Sequence, residues 1–224
     1  MQHANRLAVI PLVFSSIFLS SCSASQPPKY APDGPLNQNV SNYEESGHDL
    51  EATVNELREK FRVPVGMDLE TLSDRRPIAI NVPRGNVADV LNAIVAQQHG
   101  FKWAEVNGVV NIGPQHNPNS ILELRIAHFR INQAGYDQIH HAIVSLPEVK
   151  TWLEDNHLTE DGSTVVIGGV GPGHPLKPLV TLDLQEITLR EILNRIIKCP
   201  SYVEWTISRG EDGGGKQFII IGVG

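Results

Sequence analysis

An α+β fold built twice is what this 224-residue sequence predicts: two small units, each with helices packed on short mixed or antiparallel sheets in a β-α-β-β-α-β-β order. Three observations predict it. Amphipathic helical stripes alternate with short β-branched runs, and neither type accumulates into a long block. Polar, proline-bearing breaks fall at residues 23–46 and 114–120. The stretch "NVADVLNAIV" (86–95) is spelled again, position by position, as "TLREILNRII" (188–197), at a fixed offset of 102.

Residues 1–22 read as an export signal. Arg6 is their only charge, and Leu7 to Leu19 form an apolar core too short to span a bilayer comfortably. Leu19-Ser20-Ser21-Cys22 closes that core and resembles the bacterial lipobox, which implies lipidation of Cys22 and cleavage before it; the alternative is an ordinary secretory signal cut near Ala24. Ser23 is not the aspartate that inner-membrane lipoproteins carry, so the expected placement is the outer membrane, lipid-anchored and facing the periplasm. Residues 23–46 hold four prolines and little aliphatic pattern, as a disordered tether would.

The first unit, 47–113, opens with no clear strand. "HDLEATVNELREKF" sets Leu50, Val54, Leu57 and Phe61 at helical spacing; "VPVGMDLE" and "PIAINV" follow as strands. Asn86 then caps a helix with Asp89 in its first turn and Val87, Val90, Leu91, Ile94 and Val95 on one face. Gly100 stops it, and Asn107-Gly108 turns a tight hairpin between "FKWAEV" and "VVNI". The linker 114–120 is the domain boundary.

The second unit, 121–224, repeats the order with additions. "ILELRIAHFRI" (121–131) reads as one long strand, Tyr136 to Ser145 as a helix, and Pro147 as the start of another. "STVVIGG" and "PLVTLDL" are strands. Thr188 and Glu191 form a capping box beside an Ile187–Ile192 staple, and "YVEWTIS" and "QFIIIG" close with a hairpin. At the repeat offset Asn92 falls on Asn194 and Trp103 on Trp205, two of the three tryptophans.

A hydrophobic content of 41% and a charged fraction of 19% describe an ordinary globular chain. Without Arg6 the 18 basic residues become 17 against 25 acidic, a balance of −8, and no basic stripe exists; nucleic-acid binding is disfavoured. With Cys22 lipidated, Cys199 has no internal partner and reads as a buried small hydrophobe.

No catalytic, cofactor or metal set emerges. "VVIGGVGPGHP" (165–175) imitates a phosphate loop, but Pro172, Pro175 and Pro178 bar the helix that such a loop must open. His140 and His141 diverge by about 100° on a helix and cannot chelate together. "EDNHLTEDG" (154–162) lacks the closing glutamate of a calcium loop. Neither Ser163 nor Cys199 has a base placed beside it, and Glu211-Asp212 lie in a polar loop that cannot bury a carboxyl. Binding surfaces are the expectation: exposed strand edges and the 209–216 loop, with Arg209, Glu211, Asp212 and Lys216 as contacts. The alternatives are an envelope hydrolase using carboxylates of the second unit, and a small-ligand carrier.

"IAINVPRGNVADVLNAIVAQQHGFKWAEVNGVVNI" resembles the short N-terminal periplasmic domain shared by secretins and some TonB-dependent receptors. Val82, Pro83, Asp89, Val90, Leu91, Ile94, Phe101 and Val109 to Ile112 carry the match. "VTLDLQEITLREILNRIIKCPSYVEWTIS" is similar through Leu184, Thr188, Leu189, Ile192, Leu193 and Trp205. The resemblance implies a small docking domain that contacts another envelope protein, here without a pore or barrel of its own, and no enzyme activity.

Overall fold

The computed structural model describes residues 34–71, 76–160, 179–199 and 202–224. Their element order is β-α-β-β-α-β-β followed by β-α-α-β-β-α-β-β, an α+β architecture.

In the first unit β1 (Asn39–His48) pairs antiparallel with β3 (Ile78–Asn86). Between them α1 (Leu50–Phe61) starts where the Asp49 carboxylate accepts the Ala52 N–H at 3.0 Å. Leu50, Val54 and Leu57 bury its inner face. The next strand, β2 (Val65–Leu69), is buried at every position, because sheet neighbours and packed helices leave neither face wet. Helix α2 (Val87–Gln97) carries a full capping box: the Asp89 N–H donates to Asn86 Oδ1 at 3.0 Å, and the Asn86 N–H donates to Asp89 Oδ2 at 2.8 Å. Val87, Val90, Leu91 and Ile94 are fully buried, contributing roughly 1.5–3 kcal/mol each. The hairpin of β4 (Phe101–Val106) and β5 (Val109–Pro114) turns through Asn107 and Gly108 at φ 55° and 80°, the conformation that this pair adopts most easily.

The second unit repeats the plan with one more helix. Strand β6 (Arg125–Ala134) is followed by α3 (Tyr136–Val144), α4 (Pro147–Asp155), the short β7 (Thr159–Glu160), β8 (Val180–Thr188), α5 (Leu189–Ile196), β9 (Glu204–Glu211) and β10 (Gln217–Val223). The β6–β8 ladder is the twin of β1–β3, and α5 is the twin of α2.

The units share one sheet. Its order is β4-β5-β2-β9-β10-β7, so the half β4-β5-β2 continues into its own copy, β9-β10-β7, through a parallel pairing of β2 with β9. In that register Gly66 lies beside Trp205 and Asp68 beside Ile207, while Val65, Met67 and Leu69 point to the other face. Val65, Met67 and Leu69 belong to the first unit's core, and Trp205 and Ile207 belong to the second's. The two helical layers therefore cover opposite faces of a continuous sheet.

Several expectations change. Residues 39–48 form β1 where the tether was expected to run to 46, and Leu36, Val40 and Tyr43 are buried against the first core. The strand expected over 121–131 begins at Arg125, because the Ser120 hydroxyl accepts the Leu122 N–H and caps a 3-10 turn (Ile121–Glu123) that buries Ile121 and Leu122. The linker 114–120 does not mark a break between sheets, since strands from both sides of it join the same one. Cys199 is buried as expected, but its sulfur is disulfide-bonded. Cys22, the "STVVIGG" strand, the 165–175 glycine stretch and Ser163 lie outside the described residues. No helix among the described residues is long and apolar enough to cross a membrane.

Candidate functional site

The seam between β2 and β9 is organised around Gly66. A Cβ at this position would overlap the Trp205 indole ring, so only glycine lets that ring lie across the neighbouring strand. Trp205 is fully buried, and its Nε1–H donates to Asn194 Oδ1 on α5 at 2.7 Å. The first unit repeats this bond, with Trp103 Nε1–H donating to Asn92 Oδ1 on α2 at 2.9 Å. The difference lies in the cover. Strand β9 has β2 beside it; β4, its twin, is an edge strand bonded to β5 alone among the described residues, and Trp103 is only half-buried.

Where β2 ends, a polar network closes the seam. Asp68 is 1% exposed and Glu70 7%, although both are acidic. Arg209 of β9 donates through Nε and Nη2 to Glu70 Oε2 at 3.1 and 2.8 Å, and its guanidinium lies 5.6 Å over the Trp152 ring of α4. The Ser120 hydroxyl is 3.2 Å from Asp68 Oδ2 and 3.4 Å from Glu70 Oε1, and the Glu70 N–H donates to Asp68 Oδ1 at 3.2 Å. Burial pushes the Asp68 pKa up, against the pull of these donors. Burial and then the Asp68 charge push Glu70 up, and the Arg209 guanidinium offsets this incompletely.

A recess of about 360 Å³ opens beside this network on the sheet face carrying Asp68. Asn111 and Gly113 of β5, Lys102 of β4, Ser120 and Arg190 of α5 line it. Gly113 is required there, since a Cβ would stand 2.9 Å from Asp68 Cβ. Asp68 is the one acid of the buried pair that lines the recess, and Arg190 is engaged by Glu123 at 2.8 Å.

The loop expected to carry partner contacts divides into a seam residue and an exposed turn. Arg209 belongs to the seam, its side chain 34% exposed and committed to Glu70. Glu211 ends β9 opposite Gln217, and Asp212 organises the turn, accepting the Gly214 and Lys216 N–H groups through Oδ1 at 2.9 Å each. Those two bonds hold the Asp212 pKa below its usual value. Glu211, Asp212 and Lys216 remain exposed. The seam acids Asp68 and Glu70 drew no attention in the sequence; the signal available was two carboxylates inside the apolar run "VPVGMDLE". Elsewhere, Glu45, His48 and Glu56 bring three donor atoms within 4.8 Å of one another, a grouping that could hold a metal ion.

No protein-family model matches this chain, and no curated protein matches it either.

Proposed function

We propose that this chain is a docking module of the bacterial envelope whose free sheet edge, β4, accepts an extended segment of a partner protein as an added parallel strand. One observation carries the reading: β9, the repeat of β4, already takes β2 as a parallel neighbour, and its tryptophan is buried there while Trp103 is left partly uncovered. Edge strands bind by main-chain hydrogen bonds and select by alternate side chains. By analogy with Gly66 beside Trp205, the preferred segment carries glycine opposite Trp103. The lipobox supports an anchor at Cys22 in the outer membrane, and the short-domain resemblance supports an envelope secretion or transport protein as partner.

A hydrolase using acids of the second unit has less support, because the buried acids among the described residues, Glu45, Asp68 and Glu70, all belong to the first, with Glu70 engaged by Arg209.

A photo-crosslinking amino acid at Glu105 of β4 tests the edge in cells. The expected result is a discrete adduct with an envelope protein that the same probe at Asp183 of β8 does not give; equal labelling from both positions contradicts the reading. Cys22→Ala should move the protein from the membrane to the soluble fraction, and unchanged fractionation contradicts the anchor. Lipidation makes the Cys22 sulfur a thioether, which cannot also form a disulfide, so the intact mass of the membrane-bound protein distinguishes the two.

A further inference from the structure

We propose that Glu45, His48 and Glu56 form a divalent-metal site, suited to zinc, that ties β1 to α1. Glu45 and His48 stand at the end of β1, and Glu56 lies on α1 opposite them. His48 Nδ1 is 2.9 Å from Glu45 Oε1 and 3.7 Å from Glu56 Oε2. Donors bound at 2.0–2.2 Å to one tetrahedral zinc stand about 3.3–3.6 Å apart, so these spacings straddle what an ion requires. The necessary shifts fall on mobile groups: the His48 and Glu56 side chains are 56% and 46% exposed, whereas Glu45, at 4%, is the fixed member. One imidazole nitrogen with two carboxylates is a donor set of zinc type and leaves a fourth position for water.

A second, independent feature points to that water. Tyr43, two residues before Glu45 on the same face of β1, is 1% exposed, and its hydroxyl is buried with no hydrogen-bond partner. A buried hydroxyl left unpaired costs about 1–3 kcal/mol. The hydroxyl is near enough to the Glu56 and Glu45 carboxylates to feel their charges. A water on the ion's open position would give it a partner. The ammonium of Lys60, 4.9 Å over the Tyr43 ring, opposes a cation. Two carboxylates against that single charge still favour the ion.

The test is zinc titration, by calorimetry, of the full mature chain in detergent after removal of metal with EDTA. One equivalent should bind, and His48→Ala and Glu45→Gln should each weaken it by about tenfold or more. His128→Ala, which breaks an exposed pair with Asp183, should leave binding unchanged. Glu56→Gln, on the exposed helix face, replaces Glu45→Gln if the buried variant fails to fold. Absence of saturable binding up to about 0.1 mM zinc overturns the site, as does binding that His48→Ala leaves intact.

Discussion

Gly66 and Trp205 hold the seam by a contact that admits no added carbon. Gly66→Ala should therefore destabilise the fold by about 1–3 kcal/mol, the usual cost of overpacking, as read by urea denaturation. The two tryptophan–asparagine bonds offer an internal comparison. Asn194→Ala leaves a buried indole N–H unpaired and should cost about 1–3 kcal/mol; Asn92→Ala, beside the half-exposed Trp103, should cost less because water can substitute. Asp68 sets a pH dependence. Its folded pKa lies above its unfolded value, so the folded state keeps a proton that the unfolded chain has released. That contribution is fully present below the unfolded pKa and is lost as pH rises through the folded one. Asp68→Asn should raise stability by about 1 kcal/mol near pH 8 and flatten the fall between acid and neutral pH. The Trp103–Trp205 correspondence was legible because both occupy the same repeat position. Gly66 was not, since what makes it necessary lies 139 residues away in the chain.

Helices α2 and α5 were the most legible elements, because stripe and cap agree in each. Thr188 Oγ1 accepts the Glu191 N–H at 3.3 Å, and Glu191 Oε2 accepts the Thr188 N–H at 3.0 Å. Thr188→Ala should lower stability by about 1 kcal/mol, with Thr188→Ser restoring most of it in the same thermal melt. Strand β1 was illegible for a physical reason. Its buried residues are Val40, Tyr43 and Glu45, a spacing that breaks the two-residue period around Asn42, whose φ is 52°. The first three residues of "ILELRIAHFRI" misled because an apolar run in a 3-10 turn looks like one in a strand. The β4 edge could be anticipated as an exposed strand, but its similarity to a covered β9 follows only from the pairing of β2 with β9.

At the scale of the molecule, one sheet runs through both units, helices cover its opposite faces, and ion pairs cross the seam. Besides Arg209 with Glu70, Arg58 of α1 meets Glu204 of β9 at 3.1 Å. Such a molecule should unfold in one transition, with tryptophan fluorescence and far-UV circular dichroism coinciding in urea; two separated transitions would mean that the units are independent. The sequence showed the duplication but not the fusion, because edge pairing leaves little trace in residue pattern. The same fusion leaves β4 as the free edge proposed for docking, and hydrogen exchange tests that role most directly. A peptide of residues 63–70, which contains β2, is added in trans to the full chain, and amide exchange is followed along β4. The expected result is saturable protection of residues 102–106 with a blue shift of Trp103 emission, both reduced when the peptide carries Gly66→Val. Unchanged exchange in β4 at saturating peptide, or protection confined to other segments, would contradict the docking edge.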